Sequence, residues 1–382
     1  MLCINETTDV WMRMKECGKP IVLYGMGNGA DKILAVMEQI GVEAADFFAS
    51  DGFVRGHMFH GKRVLSFSEV CEKYGDMLIV ISFASSLPDV LGRFYDMADR
   101  YETVAPDVPV SGDTLFTRAY FDEHRADFDR AYALLADDES REIFRNVIEY
   151  KISGKLSYLR AAVSDKDAVT QTLVCPPTVR RYMDLGAYNG DTVRELLSRT
   201  DTVETVYALE PDARNYKKLA AYAESETRAR VFAFPYAAWN KKETLVFRVQ
   251  GSRNSTIAQN GTKGIAVSQA KETLIEAESP DAVLAGAPVD YIKYDVEGAE
   301  ANALAGSADT IRRCSPRLLV SLYHRTEDLF ALPLYLHSLN PAYRFYLRRF
   351  AYVPAWDVNL YCVAEDEGKK SEVVFDSEVA SQ

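Results

Sequence analysis

The chain has 382 residues, enough for two domains, and its 48% hydrophobic and 26% charged residues are typical of a globular protein. Its formal net charge of −12 argues against a protein that binds nucleic-acid phosphates, because that function requires clustered Lys and Arg. The six cysteines are scattered, with no C-x-x-C pair and no zinc-type spacing, so we expect reduced thiols, no metal site and a cytoplasmic location. No run approaches the ~20 apolar residues of a membrane span.

Residues 1–110 alternate between strand and helix patterns, which is typical of a parallel sheet. The apolar PIVLY leads into the glycine-rich GMGNGA, and the next residues, ADKILAVMEQIG, have helical periodicity. Gly25, Gly27 and Gly29 thus follow a strand and open a helix, which approximates the dinucleotide-binding fingerprint. We therefore predict a Rossmann-like N-terminal domain.

Residues 111–177 are charged and place apolar residues at helical spacing. This pattern predicts a solvated connector of two or three helices, with Ser140 in DDES as a helix cap.

Residues 178–368 alternate between strand and helix again, and we predict a second Rossmann-like, doubly wound domain there. A polar, glycine-containing stretch around 251–264 divides two of its strands. Residues 369–382 are acidic and polar and are predicted to form a frayed tail.

Three acidic residues follow successive predicted strands of the second domain: Asp184, Glu210 and Asp295. In open α/β sheets, ligands bind at the carboxyl ends of the strands. Asp184 lies shortly before Gly186 and Gly190 in DLGAYNG. A carboxylate at this position would repel a phosphate but would suit the cationic amino-acid end of S-adenosylmethionine. An acid that ends the second strand is placed to accept hydrogen bonds from a ribose diol, and we expect Glu210 to do so.

The motifs DLGAYNGDT, ALEPD, YAAWN, KYDVEGAEANALAGSADTI and PRLLVSLYHRTEDL together resemble the FkbM family of methyltransferases over about half of the chain. The resemblance implies a class I methyltransferase fold, S-adenosylmethionine as the cofactor, and methylation of hydroxyl oxygens on glycans or other small molecules. The residues that would bind the cofactor are Asp184, Gly186, Ala187, Tyr188, Asn189, Gly190, Glu210, Ala238, Trp239 and Asp295.

An alcohol is a poor nucleophile until a base accepts its proton, and three residues are candidates for that base. His324, at the end of a predicted strand, is the best-placed histidine. Asp295 and Glu297 are the alternatives.

The N-terminal segment also resembles the small Rossmann-like domain of bacterial sugar acyltransferases, which implies a nucleotide sugar at Gly25, Gly27 and Gly29. A structural or substrate-presenting role is an equal alternative. Two further hypotheses remain. The first is a nicotinamide-dependent oxidoreductase, but no tyrosine–lysine or cysteine–histidine catalytic set accompanies the glycine-rich loop. The second is a catalytically silent binding module that keeps the cofactor fold as a scaffold. The sequence does not identify the acceptor or the oligomeric state. A homo-oligomer is one of the states that it leaves open.

Overall fold

The computed structural model of this chain describes residues 1–54, 56–249, 256–257 and 271–364. The structure does not describe residues 250–255, 258–270 and 365–382. The predicted tail at 369–382 and most of the predicted polar stretch around 251–264 therefore lie outside the described residues. No helix in the described part is long and apolar enough to cross a membrane.

The N-terminal part contains a five-stranded parallel sheet in the order β5-β2-β1-β6-β7, as the alternating pattern predicts. Its helices are α1 (Val10–Glu16), α2 (Asn28–Gln39), α3 (Phe67–Tyr74) and α4 (Pro88–Arg100). Its strands are β1 (Ile21–Tyr24), β2 (Asp46–Ala49), β3 (Met58–Phe59), β4 (Lys62–Arg63), β5 (Leu65–Ser66), β6 (Leu78–Ile81) and β7 (Glu102–Val104).

The middle of the chain is helical, as predicted, but it is not a solvated connector. Its helices are α5 (Arg118–Glu123), α6 (Arg125–Leu134), α7 (Asp138–Ser153), α8 (Leu156–Ala161) and α9 (Lys166–Val169). Every residue of α7 from Asn146 to Ser153 is buried, because the helix packs against both parts of the chain. The Tyr150 hydroxyl donates to the carbonyl oxygen of Ala105 at 2.8 Å, and the Ser140 hydroxyl accepts the N–H of Leu347 at 2.9 Å. The prediction that Ser140 caps this helix is wrong: the Asp137 carboxylate accepts the backbone N–H of Ser140 at 2.8 Å.

The C-terminal part contains a seven-stranded sheet in the order β10-β9-β8-β15-β16-β18-β17, in which only β18 runs antiparallel to its neighbours. Its strands are β8 (Arg181–Leu185), β9 (Thr205–Leu209), β10 (Arg230–Phe234), β15 (Tyr291–Tyr294), β16 (Arg317–Ser321), β17 (Tyr343–Arg349) and β18 (Val358–Ala364). A smaller four-stranded sheet, which the sequence patterns do not predict, contains β11 (Ala237–Ala238), β12 (Glu243–Val249), β13 (Thr256–Ile257) and β14 (Lys271–Glu278).

The helices of this part are α10 (Asp191–Arg199), α11 (Ala213–Ser225), α12 (Pro280–Leu284), α13 (Glu300–Ala305), α14 (Ala308–Cys314) and α15 (Asp328–Leu339). The sequence predicts one helix where the structure has α13 and α14. The break falls at Gly306, where a Cβ atom would lie 2.0 Å from the carbonyl oxygen of Trp239. The chain turns there because another loop packs directly against its backbone.

Each of the two large sheets has a topological switch point. This is the place where the strand order reverses, so that the chain connections on its two sides run in opposite directions. In the N-terminal sheet this point lies between β1 and β6, and in the C-terminal sheet between β8 and β15. The largest hydrophobic cluster includes Val22 of one sheet and Leu360 of the other, so the two sheets share a continuous core. Backbone hydrogen bonds between Ser85 and Val353, at 2.9 and 3.0 Å, add a direct link between the two parts.

Candidate active site

A cleft of about 840 Å³ lies where the two switch points face each other. Its walls come from the loops that follow the strands of both sheets, which is where open α/β folds bind ligands. One wall belongs to the C-terminal sheet and contains half of the ten predicted cofactor residues. The other belongs to the N-terminal sheet and contains the glycine-rich loop, so the structure brings the two predicted ligand loops to one cavity.

The loop after β8 forms part of the C-terminal wall, and its residues Gly186 and Tyr188 line the cleft. Gly186 has φ +83°, and a Cβ atom there would lie 1.9 Å from the carbonyl oxygen of Asp295. Gly190 has φ +84° at the start of α10, and its Cβ would lie 2.6 Å from the ring of Tyr222. Both positions therefore require glycine because neighbouring protein groups approach the backbone closely.

Asp184 lies behind the cleft and not in its wall, which corrects the expectation of direct contact with the cofactor. Its side chain is fully buried; one carboxylate oxygen accepts the hydroxyl of Thr192 and the other lies 3.4 Å from Nζ of Lys293. Thr192 and Lys293 both line the cleft. Asp184 can therefore act on a ligand only by positioning these two residues.

Glu210 lines the cleft directly, at the end of β9. Its two carboxylate oxygens accept the backbone N–H groups of Tyr188, at 2.9 Å, and Asp212, at 2.8 Å. Burial raises the pKa of Glu210 to about 7, although these two hydrogen bonds oppose the increase. A buried carboxylate with lone pairs still open to a cavity is suited to accept hydroxyl groups.

The other predicted cofactor residues divide between the wall and its support. Ala238 lines the cleft, whereas Trp239 is buried behind it and donates its indole N–H to Glu243. Ala187 is fully buried, and Asn189 accepts hydrogen bonds from Arg194 outside the wall. The loops named from the sequence therefore border the cleft, but only some of their predicted residues line it, and the role of these residues in cofactor binding stays a prediction.

The loop between β15 and α13 carries the acidic pair Asp295 and Glu297, and both line the cleft with a third of each side chain exposed. Asp295 accepts the hydroxyls of Ser321 and Tyr323, each at 3.0 Å. Burial alone would raise the pKa of Asp295, but Lys293, 3.5 Å away, and the nearby histidine lower it to about 2. Asp295 is therefore ionised at neutral pH.

His324 is buried next to this acidic pair and is not part of the wall. Its Nδ1 lies 2.8 Å from Oε1 of Glu300. Its Nε2 lies 3.6 Å from Asp295 and 3.7 Å from Glu297. Burial disfavours the charged ring, but the surrounding carboxylates, Glu300 first, outweigh this effect and raise the pKa of His324 to about 10.

The N-terminal wall comes from the loop between β1 and α2. Gly27, with φ +137°, faces open space, and Gly29 also lines the cleft. A Cβ atom on Gly29 would lie 2.3 Å from the carbonyl oxygen of Ser82, and one on Gly25 would lie 2.6 Å from the ring of Phe83. Close packing against the end of β6 therefore explains glycine at positions 25 and 29, and Gly25 does not line the cleft.

Several residues of the wall were not predicted from the sequence. They are Lys32 on α2 and the group after β16 and β17 that comprises Tyr323, Tyr352, Trp356 and Asp357. Their positions depend on pairing between distant segments, so no local motif marks them. In the described part of the chain, no group of three or more His, Cys, Asp or Glu side chains could hold a metal ion.

The comparisons with known proteins agree with this geometry. Residues 184–354 match the family model of the methyltransferase FkbM domain. The matched region begins at Asp184 and includes the loop after β8, Glu210, the acidic pair and His324. A comparison with curated proteins found no match.

A crystal structure of methyltransferase FkbM from Methylobacillus flagellatus KT is similar to this chain, with 21% identity and a TM-score of 0.67. The similarity covers 90% of both chains, so it includes the N-terminal sheet as well as the region that matches the FkbM model. An rRNA methylase from Streptococcus thermophilus has 10% identity and a TM-score of 0.35, over 53% of this chain and 99% of its own. Fibrillarin from Aeropyrum pernix, solved with S-adenosyl-L-methionine, has 12% identity and a TM-score of 0.31, over 49% and 68%. The similarity to the Methylobacillus flagellatus structure, together with the observed sheets, shows an α/β, Rossmann-like fold.

Proposed function

We propose that this protein is an S-adenosylmethionine-dependent methyltransferase that methylates a hydroxyl group of a saccharide, a glycan precursor or a related small molecule. One observation carries the proposal: the FkbM-matching region and the N-terminal glycine loop line one cleft that is large enough for two ligands. The saccharide-type acceptor rests on the family resemblance of the sequence motifs.

The C-terminal wall fits the cofactor in shape and in chemistry. Gly186, Tyr188 and Ala238 line this wall together with Glu210, and we name the space that they border the cofactor recess. Glu210 would accept the ribose hydroxyls, since its carboxylate faces the recess and is held by two backbone N–H groups. When bound, the cofactor supplies a methyl group on a sulfonium centre, which needs no further activation.

The acidic end of the cleft fits the reacting hydroxyl. Asp295 and Glu297 lie next to the cofactor recess, and each can accept a hydrogen bond from an alcohol. The rigid loops around them would hold donor and acceptor in line, and such alignment saves ~7–11 kcal/mol of barrier in well-oriented reactions.

The N-terminal wall fits the part of the acceptor that is remote from the reacting hydroxyl. Gly27 and Gly29 expose backbone at the start of α2, and Lys32 adds a cation on the same side. A nucleotide sugar is the ligand that the acyltransferase-like resemblance suggests for this wall.

Calorimetric titration with S-adenosylhomocysteine tests the cofactor, and a thermal-shift panel with NAD, NADP and nucleotide sugars tests the rival hypotheses. Only ligands that prefer the folded state raise the melting temperature. We expect S-adenosylhomocysteine to raise it and NAD and NADP to have no effect. A response to NAD or NADP alone would overturn the proposal and favour the oxidoreductase hypothesis.

Transfer of radiolabelled methyl groups from S-adenosylmethionine to a panel of saccharides and nucleotide sugars tests the reaction. Glu204→Gln is a suitable control variant, because Glu204 is an exposed carboxylate paired with Arg180. A protein that binds S-adenosylhomocysteine but transfers no methyl group to any hydroxyl compound would favour the silent-module hypothesis.

A further inference from the structure

We infer that Glu297 accepts the proton of the acceptor hydroxyl, and that His324 is a buried imidazolium that positions Glu297 and is not itself the base. The inference rests on the proposed methyl transfer to a hydroxyl. It assigns separate roles to the three candidates for the base that the sequence could not rank.

The hydrogen bonding of His324 favours the doubly protonated ring. Nδ1 faces the Glu300 carboxylate at 2.8 Å, so it carries a proton when Glu300 is ionised. In the described residues Nε2 has no hydrogen-bond partner, and the nearest carboxylates are those of Asp295 and Glu297, at 3.6 and 3.7 Å. A neutral ring would direct a lone pair at both of them, whereas an imidazolium directs an N–H toward them.

His324 is also poorly placed to touch an acceptor. Its side chain is 1% exposed and does not line the cleft. A general base must come within hydrogen-bond reach of the proton that it accepts. Glu297, with 33% of its side chain exposed to the cleft, meets this condition and His324 does not.

Asp295 lines the cleft, but its carboxylate oxygens already have partners within the protein. Its Oδ1 accepts two hydroxyl groups, and Lys293 lies 3.5 Å from Oδ2. These partners stabilise its ionised form, so Asp295 is a weak base. Glu297 also lines the cleft, and Nε2 of His324 lies 3.7 Å from its Oε2, beyond hydrogen-bond distance.

The backbone holds Glu297 in an uncommon conformation. Its φ is +54°, in the left-handed region that non-glycine residues rarely adopt, and Gly298 follows with φ +95°. Such a conformation persists only when surrounding contacts impose it. Nε of Arg325 donates to the carbonyl oxygen of Gly298 at 2.7 Å, and Ser111 lies so close that a Cβ atom on Gly298 would be 2.5 Å from its Cβ. These neighbours constrain the loop from which Glu297 lines the cleft.

The surrounding charges match this assignment. Lys293 approaches from β15, Asp295 from the loop that follows it, Glu300 from α13 and Asp328 from α15. Burial raises the pKa of Glu297 to about 7, and the charge of His324 limits the increase. A base with a pKa near the working pH is the most effective. In the proposed step the acceptor O–H bond breaks, its electron pair stays on the acceptor oxygen, and the proton forms an O–H bond on Glu297.

Nitrogen-15 NMR of the ligand-free protein labelled at its five histidines tests both roles without an acceptor. The His324 signals are assigned by their loss in His324→Gln. We expect imidazolium shifts for His324 from pH 6 to pH 9, with a small inflection near pH 7 as Glu297 titrates. That inflection should disappear in Glu297→Gln and remain in Glu204→Gln.

A neutral His324 ring at pH 8 would overturn the inference. If all five histidines of the unmodified protein are neutral at pH 8, the inference is overturned without the need for any variant to fold. An inflection near pH 7 that persists in Glu297→Gln would overturn the role of Glu297. Calorimetry with S-adenosylhomocysteine is independent of both, so failure to bind it would count against the proposed function and leave the histidine result intact.

Discussion

Ser111 touches the acidic loop and the buried histidine at once. A Cβ atom on Gly298 would lie 2.5 Å from Cβ of Ser111, and the Ser111 N–H donates to the carbonyl oxygen of His324 at 2.9 Å. The same segment is held from the N-terminal side by Lys32, whose Nζ donates to the carbonyl oxygens of Pro109 and Val110. The geometry of the acidic loop therefore depends on contacts with the N-terminal half.

Gly298→Ala is expected to destabilise the protein more than Gly286→Ala does. Both glycines have positive φ, +95° and +84°, but only Gly298 has neighbours within 4 Å of the Cβ position. The backbone conformation costs about 1–3 kcal/mol in either variant, and the clash with Ser111 adds to the cost in Gly298→Ala alone. Melting temperatures test this difference, and equal values would show that the contact with Ser111 is unimportant.

Glu210→Ala is expected to weaken binding of S-adenosylhomocysteine by about 10- to 100-fold, because a hydrogen bond to a charged group contributes ~1.5–3 kcal/mol. Since the pKa of Glu210 is about 7 in the free protein, affinity should fall as the pH drops below 7. The fall can be at most ~10-fold per pH unit. Glu210→Gln should remove this pH dependence. Calorimetry at pH 6 and pH 8 measures it, and an unchanged affinity in Glu210→Ala would exclude the ribose-binding role.

The stability of the protein should decrease as the pH rises from about 6.5 toward 10. The pKa of His324 is raised to about 10 in the folded state, so the folded protein holds a proton that the unfolded chain releases above pH ~6.5. The resulting stabilisation is complete below pH ~6.5 and is lost as the pH rises, by at most ~1.4 kcal/mol per unit. Denaturant unfolding at several pH values measures the slope. His324→Gln should have a shallower slope, and an unchanged slope would contradict the raised pKa.

For a hydroxyl acceptor that turns over, kcat should rise with pH through about 7 and then level off, because Glu297 must be ionised to accept a proton. Glu297→Gln should lower kcat by ~10²–10⁴-fold with little change in cofactor affinity. His324→Gln removes a nearby positive charge, so it should raise the pKa of Glu297 and move the profile to higher pH. Loss of activity in His324→Gln but not in Glu297→Gln would make the histidine the base.

The repeated strand–glycine–helix pattern predicted both parallel sheets, because burial on two faces produces recognisable apolar runs. The loops of the site were also predictable. Each predicted strand has a recognisable carboxyl end, and the acidic residues at that end could be read from the sequence. Local patterns could not predict the partners of those acids. The burial of Asp184 against Lys293, 109 positions later, depends on the pairing of β8 with β15.

The amino-acid sequence by itself determined the α/β class, the two glycine-rich loops, and Glu210, Asp295 and Glu297 as residues of a cleft. These features follow from periodicity and from the rule that ligands bind at strand ends. Tertiary structure alone decided that both loops face one cavity, that α7 is core, and that His324 is buried between carboxylates. Such properties depend on contacts between segments far apart in the chain. The protonation of a buried group also depends on which charges the fold brings within a few ångströms of it.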